Sequence, residues 1–96
     1  MVSVNQEHAR DVTIANAYGL HARPAAEFVK LASQFKSEIL VSKDGLEVNG
    51  KSIMGVMMLA AEKGSTLQIR AIGVDAEEAI EALCALVASG FGEEEA

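Results

Sequence analysis

Residues 39–48 of this 96-residue chain, ILVSKDGLEV, comprise two apolar segments on either side of an Asp-Gly pair. Ile39 and Val41 alternate with Glu38 and Ser42, which is typical of a strand with one buried face. The Asp-Gly pair at 44–45 follows, and it favours the positive backbone angles of a tight turn. The sequence therefore predicts a β-hairpin here.

Apolar residues at helical spacing predict three helices around this hairpin. The first runs over residues 24–35, with a proline in its first turn, where a missing N–H costs no hydrogen bond. Ser52 can cap a short second helix over residues 53–61. The last helix begins after Asp75, which can cap it, with Glu78 three residues on.

Alternating side chains predict two more strands, at residues 11–14 and 67–71. The order strand, helix, strand, strand, helix, strand, helix suggests an α+β fold, a two-layer sandwich with a mostly antiparallel sheet. We expect a single domain over residues 1–96, with flexible tails at 1–9 and 93–96.

Composition limits the classes of partner. The chain has 8 basic and 14 acidic residues, a net charge of −6, which argues against nucleic acid or an anionic membrane surface and favours a protein or a small molecule. Half of the residues are hydrophobic, enough for one core without a metal or disulfide.

The longest apolar run, residues 53–61, is too short to span a bilayer, and residues 1–11 do not resemble a signal peptide, so we expect a cytoplasmic protein. Cys84 lies on the apolar stripe of the last helix and is expected to be a buried, inert thiol.

The segment 19–26, GLHARPAA, places His21 at the start of the first helix. Free N–H groups and the helix dipole make such a position an anion site, and Arg23 adds a charge suited to phosphate oxygens. A neutral imidazole is nucleophilic, so His21 could accept a phosphoryl group. The residues leave a second interpretation open, a structural histidine with satisfied hydrogen bonds. His8 has no such setting and is expected to be merely exposed.

In the segment 51–61, KSIMGVMMLAA, the helix predicted over residues 53–61 has no polar face. Part of it is therefore expected to be exposed as a partner surface, for which flexible methionines are well suited. The alternative is burial on all sides, but Gly55 weakens the helix without serving a core element. Ser52 needs no role here beyond that of a cap.

Together these two segments resemble the HPr family of histidine-containing phosphocarrier proteins. GLHARPAA at 19–26 looks like the active-site signature of that family, and KSIMGVM at 51–57 is similar to its regulatory serine segment, at the family's spacing. The resemblance covers about residues 10–92 and implies an open-faced βαββαβα sandwich, with three helices on one face of a four-stranded antiparallel sheet. Tyr18 stands where many members carry a small polar residue, and residues 88–92, ASGFG, are closer to the nitrogen-related branch than to the sugar-transport branch.

The resemblance implies a phosphoryl carrier of the bacterial phosphotransferase system rather than an enzyme. His21 would take the group on Nδ1 from Enzyme I, itself charged by phosphoenolpyruvate, and pass it to a IIA protein, while Arg23 stabilises it. Ser52 would be the residue that HPr kinase/phosphorylase modifies. No cofactor or metal is implied, and a monomer is expected. The partner surface is expected to include Leu20, Ala22, Ala26, Ile53, Met54 and Met57.

Two other functions are weighed against this one. A regulatory binding module would dock through the methionine-rich helix at 53–59 and carry no phosphate on histidine, but the presence of His21 together with Arg23 disfavours it. A small hydrolase with His21 as general base lacks a nucleophile or carboxylate at motif spacing.

Overall fold

The helices and strands follow one another in the predicted order. The computed structural model describes residues 6–93. Its elements are β1 (Gln6–Thr13), α1 (Ala22–Ala32), β2 (Glu38–Lys43), β3 (Leu46–Asn49), α2 (Ile53–Met58), β4 (Thr66–Gly73), α3 (Ala76–Ala88) and a final 3₁₀ turn (Gly90–Gly92).

The four strands form one antiparallel sheet, as predicted, and their order in the sheet is β1-β4-β2-β3. On one face of the sheet the side chains of Ile39, Val41, Leu67 and Ile69 are buried in a core shared with the helices. The residues between them, such as Gln68, are exposed or half-buried. One face of the sheet is therefore covered by helices, and the other is open.

The predicted hairpin is confirmed. Lys43 pairs with Leu46, so the turn has two residues, and both have positive φ, 50° at Asp44 and 85° at Gly45. Such angles match the twist of the two strands, and glycine adopts them without steric cost.

The helix capped by Ser52 is shorter than predicted. The Ser52 hydroxyl accepts a hydrogen bond from the N–H of Gly55 at 3.0 Å, which confirms the cap. The helix ends at Met58 rather than at Ala61, because Ala60 has a positive φ of 48° that does not continue a right-handed helix.

Asp75 stands at the N-cap position of α3, but the predicted capping role of its side chain is wrong. The carboxylate instead accepts hydrogen bonds from the N–H groups of Lys36 and Ser37 and from the Ser37 hydroxyl. These bonds lower the pKa of Asp75 below its ordinary value, the Ser37 hydroxyl contributing most. The side chain thus fastens the turn before β2 to the start of α3.

Cys84 is buried, as predicted. Burial raises the pKa of its thiol, and the positive charge of Arg10 opposes that shift only in part. His8, which was expected to be merely exposed, is instead half-buried, because β1 begins at Gln6 and places His8 opposite Ala71 of β4. No helix within residues 6–93 is long and apolar enough to cross a membrane.

The predicted tails fall partly within the described residues. Residues 6–9 belong to β1 and pair with β4, beginning with Gln6 opposite Gly73. Glu93 contacts the segment that precedes α1. Residues 1–5 and 94–96 lie outside the described residues, so the division into one domain and two tails stays a prediction.

Candidate functional site

The loop between β1 and α1 is held against the residues that follow α2. The N–H of Leu20 donates to the carbonyl of Ala61 at 2.9 Å, and Gly19 has a φ of 66°. A Cβ at Gly19 would overlap the Ala61 carbonyl oxygen, so only glycine fits this close approach. The loop that carries His21 is thereby fixed to the end of the methionine-rich helix.

His21 is the N-cap residue of α1, with an extended backbone, and its imidazole makes no capping hydrogen bond. Its carbonyl accepts the first helical bond, from the N–H of Ala25 at 3.0 Å. The N–H groups of Ala22 and Arg23 have no acceptor among residues 6–93, as expected at a helix start. The side chain is 41% exposed, so a reacting group can approach the ring from solvent.

Arg23 follows His21 by two residues in the first turn of α1 and is exposed. Its guanidinium makes no hydrogen bond or ion pair within the described part of the chain. It is therefore available to bind an anion beside the histidine. The N–H groups of the helix start and the positive end of the helix dipole also favour an anion at this position.

The Nε2 atom of His21 lies 3.1 Å from Oε2 of Glu93. The other carboxylate oxygen of Glu93, Oε1, accepts a hydrogen bond of 2.9 Å from the side-chain amide of Asn16. Asn16 is 1% exposed, and its amide also donates to the carbonyl of Gly19 at 2.8 Å. A fixed amide thus positions the carboxylate that contacts the imidazole.

Tyr18 flanks the same imidazole. Its ring meets that of His21 edge to face, with the ring centres 6.3 Å apart and the planes at 86°. The Tyr18 side chain is 83% exposed. The histidine is therefore bordered by an exposed aromatic ring and by a carboxylate.

The exposed side of α2 consists of Ile53, Met54, Met57 and Met58, which we call the methionine surface. The prediction that part of this helix stays exposed is confirmed, and Met54 is the most exposed of the four at 78%. Only Val56 is buried within the helix, and Leu59 and Ala61 after it complete the contact with the core.

Among the other predicted partner residues, Ala22 and Ala26 are exposed on the first turns of α1. Leu20 is a correction, since it is only 5% exposed and packs in the core. This apolar side chain next to the histidine anchors the loop to the core, and it has little surface to offer a partner.

Asn16 and Glu93 were not predicted as site residues. Asn16 stands two residues after the buried Ile14, just beyond β1, so its side chain continues the inward-facing alternation of that strand. A polar residue at an inward-facing position needs hydrogen-bonding partners, and this was the signal that the sequence offered. Glu93 stood in a predicted tail, where no local pattern marks a contact. No group of three or more His, Cys, Asp or Glu side chains in the described ranges is arranged to hold a metal ion.

The chain is similar to known proteins in both sequence and fold. Residues 8–89 match the family described as "PTS HPr component phosphorylation site". The chain is 52% identical over 86 residues to the phosphocarrier protein HPr of Cupriavidus necator, a match covering 90% of this chain and 97% of that protein. It is also similar to a crystal structure of HPr from Thermoanaerobacter tengcongensis, with a TM-score of 0.88 and 51% identity over 92% of this chain and 99% of that one. A second structure from that organism, described as an HPr dimer, has a TM-score of 0.73 and 52% identity, covering 88% and 99%.

Proposed function

The chain belongs to the HPr family of phosphocarrier proteins, and from that membership we propose that it relays a phosphoryl group through His21. In this proposal Nδ1 of His21 takes the group from Enzyme I, which phosphoenolpyruvate has charged, and passes it to IIA proteins of the phosphotransferase system. The observation that carries the proposal is the position of His21 at the N-cap of α1, with an exposed ring and no capping bond.

The surroundings of His21 support phosphoryl transfer by electrostatics. The N–H groups of Ala22 and Arg23, which have no acceptor among residues 6–93, stabilise negative charge beside the ring together with the helix dipole. The Arg23 guanidinium can present paired donors to phosphate oxygens. Arg23 is therefore proposed to stabilise the phosphoryl group during transfer.

We propose that the methionine surface is where partner proteins dock. The helix that carries this surface contacts α1, and the segment after it is bonded to the His21 loop by the Leu20–Ala61 hydrogen bond. Exposed methionines adapt to partners of different shape. With Leu20 excluded, the proposed contact residues are Ala22, Ala26, Ile53, Met54 and Met57. We further propose that the protein acts as a monomer in the cytoplasm, which sedimentation and cell fractionation test.

Ser52 is proposed to be a regulatory site for an HPr kinase/phosphorylase. It begins α2 at the border of the methionine surface, so a phosphate there would lie beside the docking area rather than on the histidine. A phosphoserine ester holds its phosphate firmly, whereas the P–N bond of phosphohistidine has high transfer potential. One modification thus suits control, and the other suits relay.

The decisive experiment is incubation with purified Enzyme I and radiolabelled phosphoenolpyruvate. We expect acid-labile, base-stable label on the wild-type protein and none on His21→Ala, with circular dichroism and melting curves showing that the variant is folded. His8→Ala is the matched control and should be labelled at the wild-type rate. Label that persists in His21→Ala would contradict the proposal.

A regulatory binding module is the second candidate, favoured by the exposed methionine surface alone. Such a module would bind its partners with no need for phosphate on His21. Normal partner binding together with a wild-type protein that takes no label from Enzyme I would favour it over the carrier.

A further inference from the structure

The Glu93 carboxylate connects the buried Asn16 to the reactive ring of the site. One of its oxygens accepts a hydrogen bond from the Asn16 amide, and the other lies 3.1 Å from Nε2 of His21. The carboxylate is mostly covered, with 22% of its side chain exposed, whereas the imidazole is 41% exposed. The contact is thus a defined bridge and spans 72 positions of sequence.

The donors and acceptors along this bridge can be assigned from chemistry. The amide nitrogen of Asn16 faces the Gly19 carbonyl and Glu93 Oε1, which are both acceptors, so the nitrogen must occupy that position. A carboxylate has no proton to donate at neutral pH. The hydrogen bond to His21 therefore requires a proton on Nε2, and in a neutral imidazole the lone pair is then on Nδ1.

We propose that Glu93 is a positioning residue that holds His21 in the Nε2-protonated tautomer and so makes Nδ1 the nucleophile. The proposal rests on the proposed carrier function and goes beyond it, since it names the group that selects between the two ring nitrogens. Tyr18 and Glu93 both contact the imidazole, but only Glu93 discriminates between its tautomers.

The transfer step balances with this assignment. The Nδ1 lone pair forms the new P–N bond, and the bond between phosphorus and the donor breaks, its electron pair going to the donor. The proton stays on Nε2, so the product is a phosphorylated imidazolium whose positive ring faces the Glu93 carboxylate. In the onward transfer the P–N bond breaks, its pair returns to Nδ1, and the ring is again neutral.

Substitution by glutamine separates the role of the carboxylate from that of a mere contact. Asn16 presents a donor, so in Glu93→Gln the new side chain would turn its carbonyl oxygen towards Asn16 and its NH₂ towards His21. A donor facing Nε2 favours the opposite tautomer, with the proton on Nδ1, where the lone pair is needed. In the Ser-His-Asp triad an amide in place of the carboxylate likewise leaves the imidazole in the wrong tautomer.

The tautomer is measured on the free protein by long-range ¹H–¹⁵N spectra of the imidazole, at about pH 9, where histidine side chains are ordinarily neutral. We expect Nε2–H in the wild type, a population shifted towards Nδ1–H in Glu93→Gln, and an intermediate one in Glu93→Ala. Glu78→Gln, an exposed glutamate of α3, is the matched control and should leave the spectrum unchanged. The same tautomer population in all four proteins would overturn the inference.

Transfer kinetics provide the second measurement. At saturating Enzyme I, Glu93→Gln should accept phosphate at least roughly ten-fold more slowly than wild type, because the loss is in the chemical step rather than in docking. Glu93→Asp keeps a carboxylate and should recover most of the rate. A Glu93→Gln rate equal to that of wild type would overturn the inference. A wild type that takes no label would instead refute the carrier function, while the imidazole spectra would still decide whether Glu93 sets the tautomer.

Discussion

The hydroxyl of Ser52 and the backbone N–H of Gly55 form a hydrogen bond of 3.0 Å, so the proposed regulatory serine also caps α2. A Cβ at Gly55 would come within 3.4 Å of both the Asn49 carbonyl oxygen and this same hydroxyl. Glycine at position 55 weakens the helix, but its small size leaves space for the Ser52 hydroxyl that caps it. A phosphate on Ser52 would add negative charge at a helix start, where the dipole favours it.

Ser52→Asp should weaken binding to Enzyme I without unfolding the protein. Aspartate is a good N-cap, but its charge must be desolvated at the edge of the methionine surface. Titration calorimetry should show a reduced affinity, and His21 labelling should slow at low protein concentration and recover in part at saturation. Ser52→Ala is the control, since it loses about 1 kcal/mol of stability with the cap but adds no charge, and so it should bind normally. Unchanged affinity of Ser52→Asp with a lowered melting temperature would mean that Ser52 is only a cap.

Arg23→Lys should slow phosphoryl transfer and leave the melting temperature unchanged. The guanidinium offers paired donors, whereas an ammonium is a point charge. The lost contacts are worth about 1.5–3 kcal/mol in the transition state, or roughly ten- to a hundred-fold in rate, as measured by rapid quench. Arg10→Lys, in β1, is the matched control and should transfer normally. A wild-type rate in Arg23→Lys would show that the guanidinium does not contact the phosphate.

Gly19→Ala should destabilise the protein much more than Gly64→Ala. Both glycines have positive φ, 66° and 89°, so alanine costs about 1–2 kcal/mol of backbone strain at either position. At Gly64 nothing lies within 4 Å of the added Cβ, whereas at Gly19 it meets the Ala61 carbonyl. We expect an additional loss of about 2 kcal/mol at Gly19, measured by urea unfolding. Equal losses would mean that the loop moves away from Ala61 at no cost.

Asp75→Asn should reduce the free energy of unfolding at neutral pH by about 1 kcal/mol, a discounted value because the carboxylate is partly exposed. The pKa of Asp75 is lowered in the folded state, so its contribution is complete above the ordinary value of 3.8. It is lost as the pH falls from there through the folded pKa. The difference between wild type and Asp75→Asn in pH-dependent melting should therefore be constant near neutrality and disappear in strong acid. A difference that does not change with pH would show that the charge on Asp75 contributes nothing.

Local patterns were sufficient for most of the fold. The alternation in β2 and the Asp-Gly turn specified the hairpin, and apolar spacing placed the helices, because these signals act between near neighbours in sequence. The end of α2 was missed, since the left-handed backbone at Ala60 is adopted by an ordinary residue under tertiary constraint. The role of Asp75 was missed because its partners, Lys36 and Ser37, lie nearly forty positions away.

The candidate site likewise has one part that could be predicted from the sequence and another that could not. His21, Arg23 and Ser52 stand in short motifs that can be recognised from sequence alone. The bridge from Asn16 through Glu93 to His21 depends on β1 and the C-terminal segment meeting in space, and a glutamate in an acidic stretch carries no local sign of that contact. The long-range part of the site was therefore accessible only from the folded chain.

The contact between Glu93 and His21 also sets an order of events during synthesis. Residues 19–26 leave the ribosome early, but the carboxylate that touches the imidazole follows 72 residues later. Strand β1 must likewise wait for β4 before it has a hydrogen-bonding partner. A nascent chain therefore displays its signature motif long before it has the complete surroundings of the histidine, and only the chain that extends through Glu93 can assemble them.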